Sequence, residues 1–427
     1  MNAPLKAPVS SRQFLSGNEA VARAVWDAGV KVAAAYPGTP ASEMLETIAR
    51  YPDIFAEWSV NEKVSLEVAI GASMTASRSF CCMKHVGMNV AADALMTLTL
   101  TGTPGGMVIA IADDVGMSSS QNEQDSRFWG RFGHLPIFEP ADSQEAYDMT
   151  RQAYRLSEQF ECPVILRMTT RVCHVKCLVV AGEREAHRGA GFVKDPSRWV
   201  MVPGNAKRRL PLQLEREIKL GEVSENSELN VIDEGSDRRL GFVTSGPAFM
   251  HVREAFPDMP VLKLGMSYPL PLEKIREFSA TVDKLIVVEE TEPLLETELR
   301  AAGLAVHGKD VLPRIGELSP TVLRPRIARL LGETVVDSAP APAPRPALEV
   351  FPRPPTMCPS CPHLGVYFTL ARMKNIIVSG DIGCYSLGVG HPWNSLDSLV
   401  SMGASMGIAL GLDKGRGESD ENKKIVA

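Results

Sequence analysis

The chain has 427 residues, of which 44% are hydrophobic and 22% charged, and these proportions are typical of a globular protein of two to four domains rather than a disordered one. A formal net charge of −6, with lysines and arginines scattered along the chain, excludes nucleic acid as an expected partner. No apolar run approaches the roughly 20 residues of a membrane helix, and the first residues lack the apolar core of a secretion signal, so a cytoplasmic protein without membrane contact is expected.

The first 185 residues alternate helical patterns with short apolar runs, as in a parallel sheet covered by helices. Residues 16–29 have apolar side chains at helical spacing, and the apolar run 30–36 that follows is typical of a buried strand. The predicted strands are 30–36, 80–83, 107–112 and 164–167, and the predicted helices are 16–29, 64–76, 90–100 and 143–160. One doubly wound α/β domain, 1–185, is expected.

Residues 186–236 are rich in charge and weak in periodicity, which predicts a connecting excursion. A second α/β domain is predicted over 237–335. Its predicted strands are 240–243, 261–264 and 284–288, and its predicted helix is 273–278. Residues 336–355 are rich in proline, which fixes φ and removes N–H donors, so an extended linker is predicted.

The last region, 356–427, contains a Cys-x-x-Cys motif. Cys358 and Cys361 are followed by Cys384, and three thiols could converge on one soft metal or cluster. His363 is an extra candidate ligand for zinc, but structural zinc sites usually bring two close pairs of ligands. A redox-active dithiol is the other alternative. Residues 423–427 are typical of the first half of a strand, so the domain is expected to be incomplete.

Several segments occur in the order and spacing of one enzyme family. In the first domain they are Tyr36-Pro37-Gly38-Thr39-Pro40, Asn61-Glu62-Lys63, 83–89 and 119–125; later ones are 264–271, 287–290, 358–363 and 380–385. Through them the chain resembles the large subunit of indolepyruvate:ferredoxin oxidoreductases, within the 2-oxoacid:ferredoxin oxidoreductase superfamily. The resemblance covers nearly the whole chain except the linker and the excursion.

The resemblance implies an α/β fold with three parts. These are a doubly wound pyrimidine domain of the thiamine-diphosphate-binding type, a domain like the C-terminal domain of transketolase, and the start of a diphosphate domain. It implies oxidative decarboxylation of an aryl 2-oxoacid to its acyl-coenzyme A, with ferredoxin reduced, as part of a larger or completed enzyme. The implied cofactors are thiamine diphosphate, Mg²⁺ and a [4Fe–4S] cluster.

Glu62 is the first candidate catalytic residue. Thiamine enzymes use a carboxylate to bond N1′ of the aminopyrimidine, which favours the form that removes the C2 proton. By the resemblance, Glu62 stands at the position of the family's cofactor glutamate. The structural alternative is that Asn61 caps a helix and Glu62 lies in its first turn, stabilised by the helix dipole. Both can hold together.

The chain offers further candidate site residues. Lys84 and His85 follow a strand, where open α/β sheets place ligands, and are candidate catalytic residues that would hydrogen-bond an anionic 2-oxoacid; a structural histidine is the alternative. Gly38 and Thr39 lie in a turn that could meet the cofactor or the substrate carboxylate, or could be a turn without a ligand. The remaining candidates are Gln121, Asn122 and Arg127 for substrate and Gly383 and Met402 for cofactor.

The resemblance assigns Cys358, Cys361 and Cys384 to a proximal cluster, with a fourth cysteine and the Mg²⁺-binding motif expected downstream of Ala427. The expected partners are the 2-oxoacid, coenzyme A, ferredoxin and a small gamma domain or beta subunit, in a homo-oligomer or heteromer. Two alternatives stay open. The enzyme could act on phenylpyruvate, phenylglyoxylate or a branched-chain oxoacid, or the chain could be a non-catalytic assembly subunit or fragment.

Overall fold

The computed structural model describes residues 12–333, 351, 355–417 and 422–427. The described residues form two compact units, one within 1–336 and the other within 337–427. The predicted proline-rich linker lies outside the described residues apart from 351 and 355. No helix in the described part of the chain is long and apolar enough to cross a membrane.

The first unit begins with an α/β domain. Its elements are β1 (Arg12–Ser16), α1 (Gly17–Asp27), β2 (Val32–Ala35), α2 (Ser42–Ile48), β3 (Phe55–Trp58), α3 (Glu62–Met74), β4 (Ser79–Lys84), α4 (His85–Thr101), β5 (Met107–Asp113), α5 (Arg127–Gly133), β6 (Ile137–Phe138), α6 (Ser143–Phe160), β7 (Val164–Thr169), α7 (Thr170–His174) and β8 (Lys176–Val180). Strands β4, β5 and β7 are buried along their whole length, which explains why they read as continuous apolar runs. The predicted α/β fold class is confirmed.

A connecting segment and a second α/β domain complete the first unit. Their elements are α8 (Pro196–Trp199), α9 (Pro203–Glu225), β9 (Asn230–Asp233), β10 (Gly241–Ser245), α10 (Ala248–Ala255), β11 (Val261–Leu264), β12 (Met266–Tyr268), α11 (Leu272–Ser279), β13 (Leu285–Val288), α12 (Leu294–Ala301), β14 (Val306–His307) and α13 (Pro320–Leu330). Neighbouring residues of β10, Phe242 and Val243, belong to separate apolar clusters, so both faces of this sheet are covered.

Two sheets organise the first unit. The larger has the order β12-β6-β7-β5-β4-β2-β3, and its strands are parallel except for β12, which pairs antiparallel with β6. The smaller has the order β14-β13-β10-β11-β9, with β9 antiparallel at its edge. The observed sheets depart from the predicted domain boundaries at two points. The smaller sheet includes 230–233, which lie in the predicted excursion, and β12, from the predicted second domain, joins the larger sheet.

The segment predicted as an excursion contains the 23-residue helix α9. Arginines of α8 and α9 make polar contacts with the C-terminal end of α4. Arg216 donates to the Thr99 carbonyl at 2.7 Å, Arg198 to the Thr101 carbonyl at 3.0 Å, and Arg209 to the carbonyls of residues 100 and 101. The C-terminus of a helix carries a partial negative charge from the helix dipole, and cations interact with it favourably. These arginines therefore stabilise α4. Such a helix shows little apolar periodicity in its sequence.

The second unit is a small α/β body. Its elements are α14 (His363–Leu370), β15 (Ile376–Gly380), a 3₁₀ helix (Cys384–Val389), β16 (Ser398–Leu399), α15 (Ser405–Gly415) and β17 (Lys424–Val426). The strands form a parallel sheet in the order β16-β15-β17. The predicted strand at 423–427 is β17, and it pairs with β15.

Candidate functional site

The candidate site lies at the carboxyl ends of the parallel strands β2, β4 and β5, where open α/β sheets place their ligands. Glu62 opens α3, and the Asn61 side chain caps that helix by accepting from the Val64 N–H at 2.9 Å. The structural alternative for Asn61 is therefore confirmed. The cap uses only the Asn61 side chain, so the Glu62 carboxyl group is not needed to cap the helix.

Glu62 is a buried carboxyl group, with only 8% of the residue exposed. Burial raises its pKa above the ordinary value, opposed in part by a hydrogen bond from its own backbone N–H. No side chain among the described residues forms an ion pair or hydrogen bond with this carboxyl group. A buried carboxyl group that pairs with no other side chain is costly to ionise, and it keeps the capacity to hydrogen-bond a ligand.

This burial leads to a stability prediction for Glu62→Gln, which should raise the free energy of unfolding at neutral pH. Because the folded-state pKa is raised, stability from the wild-type carboxyl is present below 4.5 and is lost as pH rises through the folded value. Glutamine stays neutral, so the variant's advantage should disappear near pH 4.5. Urea denaturation at the two pH values measures it. A variant less stable than the wild type at neutral pH would reveal a partner that stabilises the carboxylate.

Lys84 ends β4, and its ammonium group is held by the loop that follows β5. Nζ donates to the Ser119 carbonyl at 2.8 Å and lies 3.9 Å from Asp114 Oδ2. Burial lowers the pKa of Lys84, and the charge of Asp114 opposes that shift. Gly38 lies beside it, since a Cβ added to this glycine would be 3.2 Å from Lys84 Cβ. The turn after β2 and the end of β4 thus form one wall.

Asp114 was not among the predicted site residues, although it directly follows β5. Its carboxylate accepts from the Ser119 N–H at 2.7 Å, the Ser120 hydroxyl at 2.5 Å and the Thr170 hydroxyl at 2.9 Å. Burial acts to raise the pKa of Asp114, but these hydrogen bonds, with the charge of Lys84, hold it below its ordinary range. Asp114 therefore remains an anion that organises the loop.

His85 uses both ring nitrogens within the protein. Nδ1 accepts from the Asp114 N–H at 3.4 Å, and Nε2 lies 3.2 Å from the Asn122 carbonyl, which requires a proton on Nε2. The side chain is buried at the start of α4. This arrangement gives His85 the structural role weighed for it from the sequence, positioning the loop, and differs from the predicted contact with substrate because neither nitrogen is left for one.

In contrast to the predicted substrate contact, the structure buries Arg127 inside the first unit. Its guanidinium is buried and donates to Asp125 at 2.6 Å, to Glu289 at 2.7 Å and to the Glu290 and Glu292 carbonyls. Although burial acts to lower it, these anions raise the pKa of Arg127 well above its usual value. The residue joins the two domains of the first unit. Thr39, Gln121 and Asn122 are exposed and stay predictions as ligand contacts.

In the second unit the three cysteines of the predicted cluster do not form a metal site. Cys358 and Cys384 are exposed, and Cys361 Sγ lies 3.2 Å from His363 Nδ1. Within the described residues, no group of three or more His, Cys, Asp or Glu side chains is arranged to hold a metal ion. The donor set as it stands fits neither the [4Fe–4S] cluster nor Mg²⁺, and no chemical step is assigned to either.

Asp381 has a structural role in the second unit. Its carboxylate accepts from the Ser405 N–H at 2.7 Å and the Ser405 hydroxyl at 2.9 Å, which satisfies the start of α15. This contact joins the segment of Gly383 to the segment of Met402, whose side chain is exposed. The two residues stay predictions as cofactor contacts.

Comparison with known proteins gives consistent relatives. The family described as pyruvate flavodoxin/ferredoxin oxidoreductase, thiamine diphosphate-binding, matches residues 23–188. Indolepyruvate oxidoreductase subunit IorA of Methanothermobacter marburgensis is 42% identical over 95% of this chain and 69% of its own length, and that of Archaeoglobus fulgidus is 38% identical over 96% and 70%. A solved 2-oxoglutarate:ferredoxin oxidoreductase from Magnetococcus marinus, 17% identical, shares the fold with a TM-score of 0.60 over 74% of this chain and 65% of that one.

Proposed function

Since this chain belongs to the IorA family of 2-oxoacid:ferredoxin oxidoreductase subunits, we propose that it acts in the oxidative decarboxylation of an aryl 2-oxoacid of the indolepyruvate type. The product would be the acyl-coenzyme A, ferredoxin would be reduced, and a smaller partner subunit would complete the assembly. The observation that carries the proposal is the buried Glu62 carboxyl, which no other side chain among the described residues pairs with, at the ligand-binding edge of the sheet.

The residues of the first domain fit the aminopyrimidine end of thiamine diphosphate. When bound, this cofactor supplies the carbon nucleophile and the electron sink for decarboxylation. Glu62 would hold the ring by sharing a proton between its carboxyl oxygen and the ring nitrogen N1′. Its raised pKa favours that shared proton more than in an exposed glutamate, because the buried environment disfavours a free carboxylate.

Lys84 would attract the anionic substrate. The aliphatic part of its side chain lies beside Gly38, and its ammonium is held on the loop by the Ser119 carbonyl. A buried cation is poorly screened by salt, so its field acts on a nearby carboxylate more strongly than that of an exposed lysine. His85 and Asp114 would act through Lys84, by fixing the loop that holds it.

The substrate class is tested with the enzyme assembled with its partner subunit. We expect kcat/KM for indolepyruvate to exceed that for 2-oxoglutarate at least about tenfold, because one aromatic side chain buried in a specific pocket is worth several kcal/mol. Reduction of a low-potential dye, dependent on each 2-oxoacid and on coenzyme A, measures it. Equal or inverted ratios would contradict the aryl substrate, while no reaction with any 2-oxoacid would contradict the enzymatic function and favour an assembly role.

A further inference from the structure

The first turn of α4 packs directly against the Glu62 carboxyl group. Gly87 is buried in that turn. A Cβ added to Gly87 would lie 2.5 Å from Glu62 Oε1, 2.6 Å from Cγ and 2.8 Å from Cδ, all closer than real Cβ contacts. The glutamate side chain therefore occupies the space that any other residue at position 87 would fill.

The glycine is not explained by the backbone. Gly87 lies inside a helix, and its φ is not among the positive values found elsewhere in the chain. A glycine in a helix interior destabilises the helix relative to alanine, so it is expected there only where space or a close approach requires it. Here the close approach is to one group, the carboxyl of Glu62.

The backbone on both sides of this contact is held in place. Asn61 caps α3 and fixes the turn that carries Glu62. Lys84 and His85, at the start of α4, are tied to the loop after β5 by the hydrogen bonds to Ser119 and Asn122. We infer that Gly87 is a positioning residue for Glu62: the missing side chain at position 87 seats the carboxyl group in the buried position from which it would meet the cofactor ring.

The inference depends on the proposed function only for the identity of that ring, since the seating of the carboxyl can be measured without a ligand. The test compares Gly87→Ala with Gly71→Ala. Gly71 lies in α3, the helix that Glu62 opens, and no described atom lies within 4 Å of a Cβ added there. The pKa of Glu62 is followed by ¹³C NMR of carboxyl-labelled glutamate in the full chain, with its signal assigned through Glu62→Gln.

In Gly87→Ala we expect the carboxyl to be pushed toward solvent, so that its pKa falls toward 4.5. We also expect the affinity of the assembled enzyme for thiamine diphosphate to fall at least about tenfold, the cost of one misplaced hydrogen bond to a charged or buried group. Gly71→Ala should match the wild type in both. An unchanged Glu62 pKa in folded Gly87→Ala would overturn the inference. A wild-type enzyme that does not bind thiamine diphosphate would contradict the proposed function and leave the pKa result standing.

A second variant covers the case in which Gly87→Ala does not fold. Glu62→Ala removes the Cγ, Cδ and Oε1 atoms that would lie 2.5–2.8 Å from a Cβ at position 87. If Gly87→Ala does not fold, the combined variant Glu62→Ala/Gly87→Ala should regain a cooperative thermal transition; if Gly87→Ala does fold, the combined variant should melt at a higher temperature. If the combined variant is no more stable than Gly87→Ala, the added methyl group meets something other than Glu62, and the inference is wrong.

Discussion

Glu62→Gln should lower kcat of the assembled enzyme about 10²- to 10⁴-fold, the usual contribution of a positioned proton-transfer group. The amide can still hydrogen-bond a ring nitrogen, but it cannot share its proton with that nitrogen as a carboxyl group does. The loss should therefore appear mainly in kcat, with a smaller change in the affinity for thiamine diphosphate. Steady-state reduction of a low-potential dye and calorimetric titration of the cofactor separate the two.

Glu67→Gln is the matched control. Glu67 lies on the same helix as Glu62, but it is half-exposed and paired with Lys63 at the surface. Its substitution removes the same charge from α3 without touching the buried site, so the activity should stay within a factor of about two, as for surface changes in general. If both variants lose activity alike, the loss reflects the helix charge, and Glu62 has no special role.

Arg127→Met should lower the free energy of unfolding by about 3–5 kcal/mol, because removal of one partner leaves buried charges without compensation. The buried anions Asp125 and Glu289 would each lose an ion-pair partner, and the Glu290 and Glu292 carbonyls would each lose a donor. Methionine replaces the aliphatic part of the arginine side chain, so most of the loss would come from charge and hydrogen bonds. Urea denaturation followed by circular dichroism measures the change.

Arg131→Met is the control for this second variant. Arg131 lies one turn further along α5 and also bridges the two domains, through an ion pair of 2.9 Å with Glu298. It is 56% exposed, and exposed pairs contribute about 0–1 kcal/mol. Equal losses in the two variants would show that burial adds nothing to the Arg127 network. A separate, earlier transition in Arg127→Met would show that the network couples the unfolding of the two domains.

The sequence could predict the parallel core and the position of Glu62. Strands β4, β5 and β7 have apolar runs because both faces are covered, and Asn61 marks the start of α3 by ordinary capping chemistry. The motifs that follow β2 and β4 meet because the carboxyl ends of parallel strands share one edge of a sheet. The predicted family is confirmed by the relatives.

The sequence could not show which polar groups are already used inside the fold. Arg127 resembled a surface ligand contact, but its partner Glu289 lies 162 residues away. His85 resembled a catalytic histidine, and its two nitrogens are taken up by backbone groups of a loop. Such pairings depend on the tertiary structure, since a local pattern records the donor without recording its acceptor. The spacing of Cys358, Cys361 and Cys384 likewise suggested convergence that the described residues do not show.

The three-residue strand β12 has a consequence for how the first domain can exist. It comes from the second domain and pairs with β6, which would otherwise be an edge strand of the first domain's sheet. Cut away from the second domain, the first would present the bare edge of β6 (Ile137–Phe138), with unpaired N–H and C=O groups and apolar side chains. Such an edge recruits strands from other molecules. The β6 edge of the first domain is thus covered by a segment that lies outside that domain.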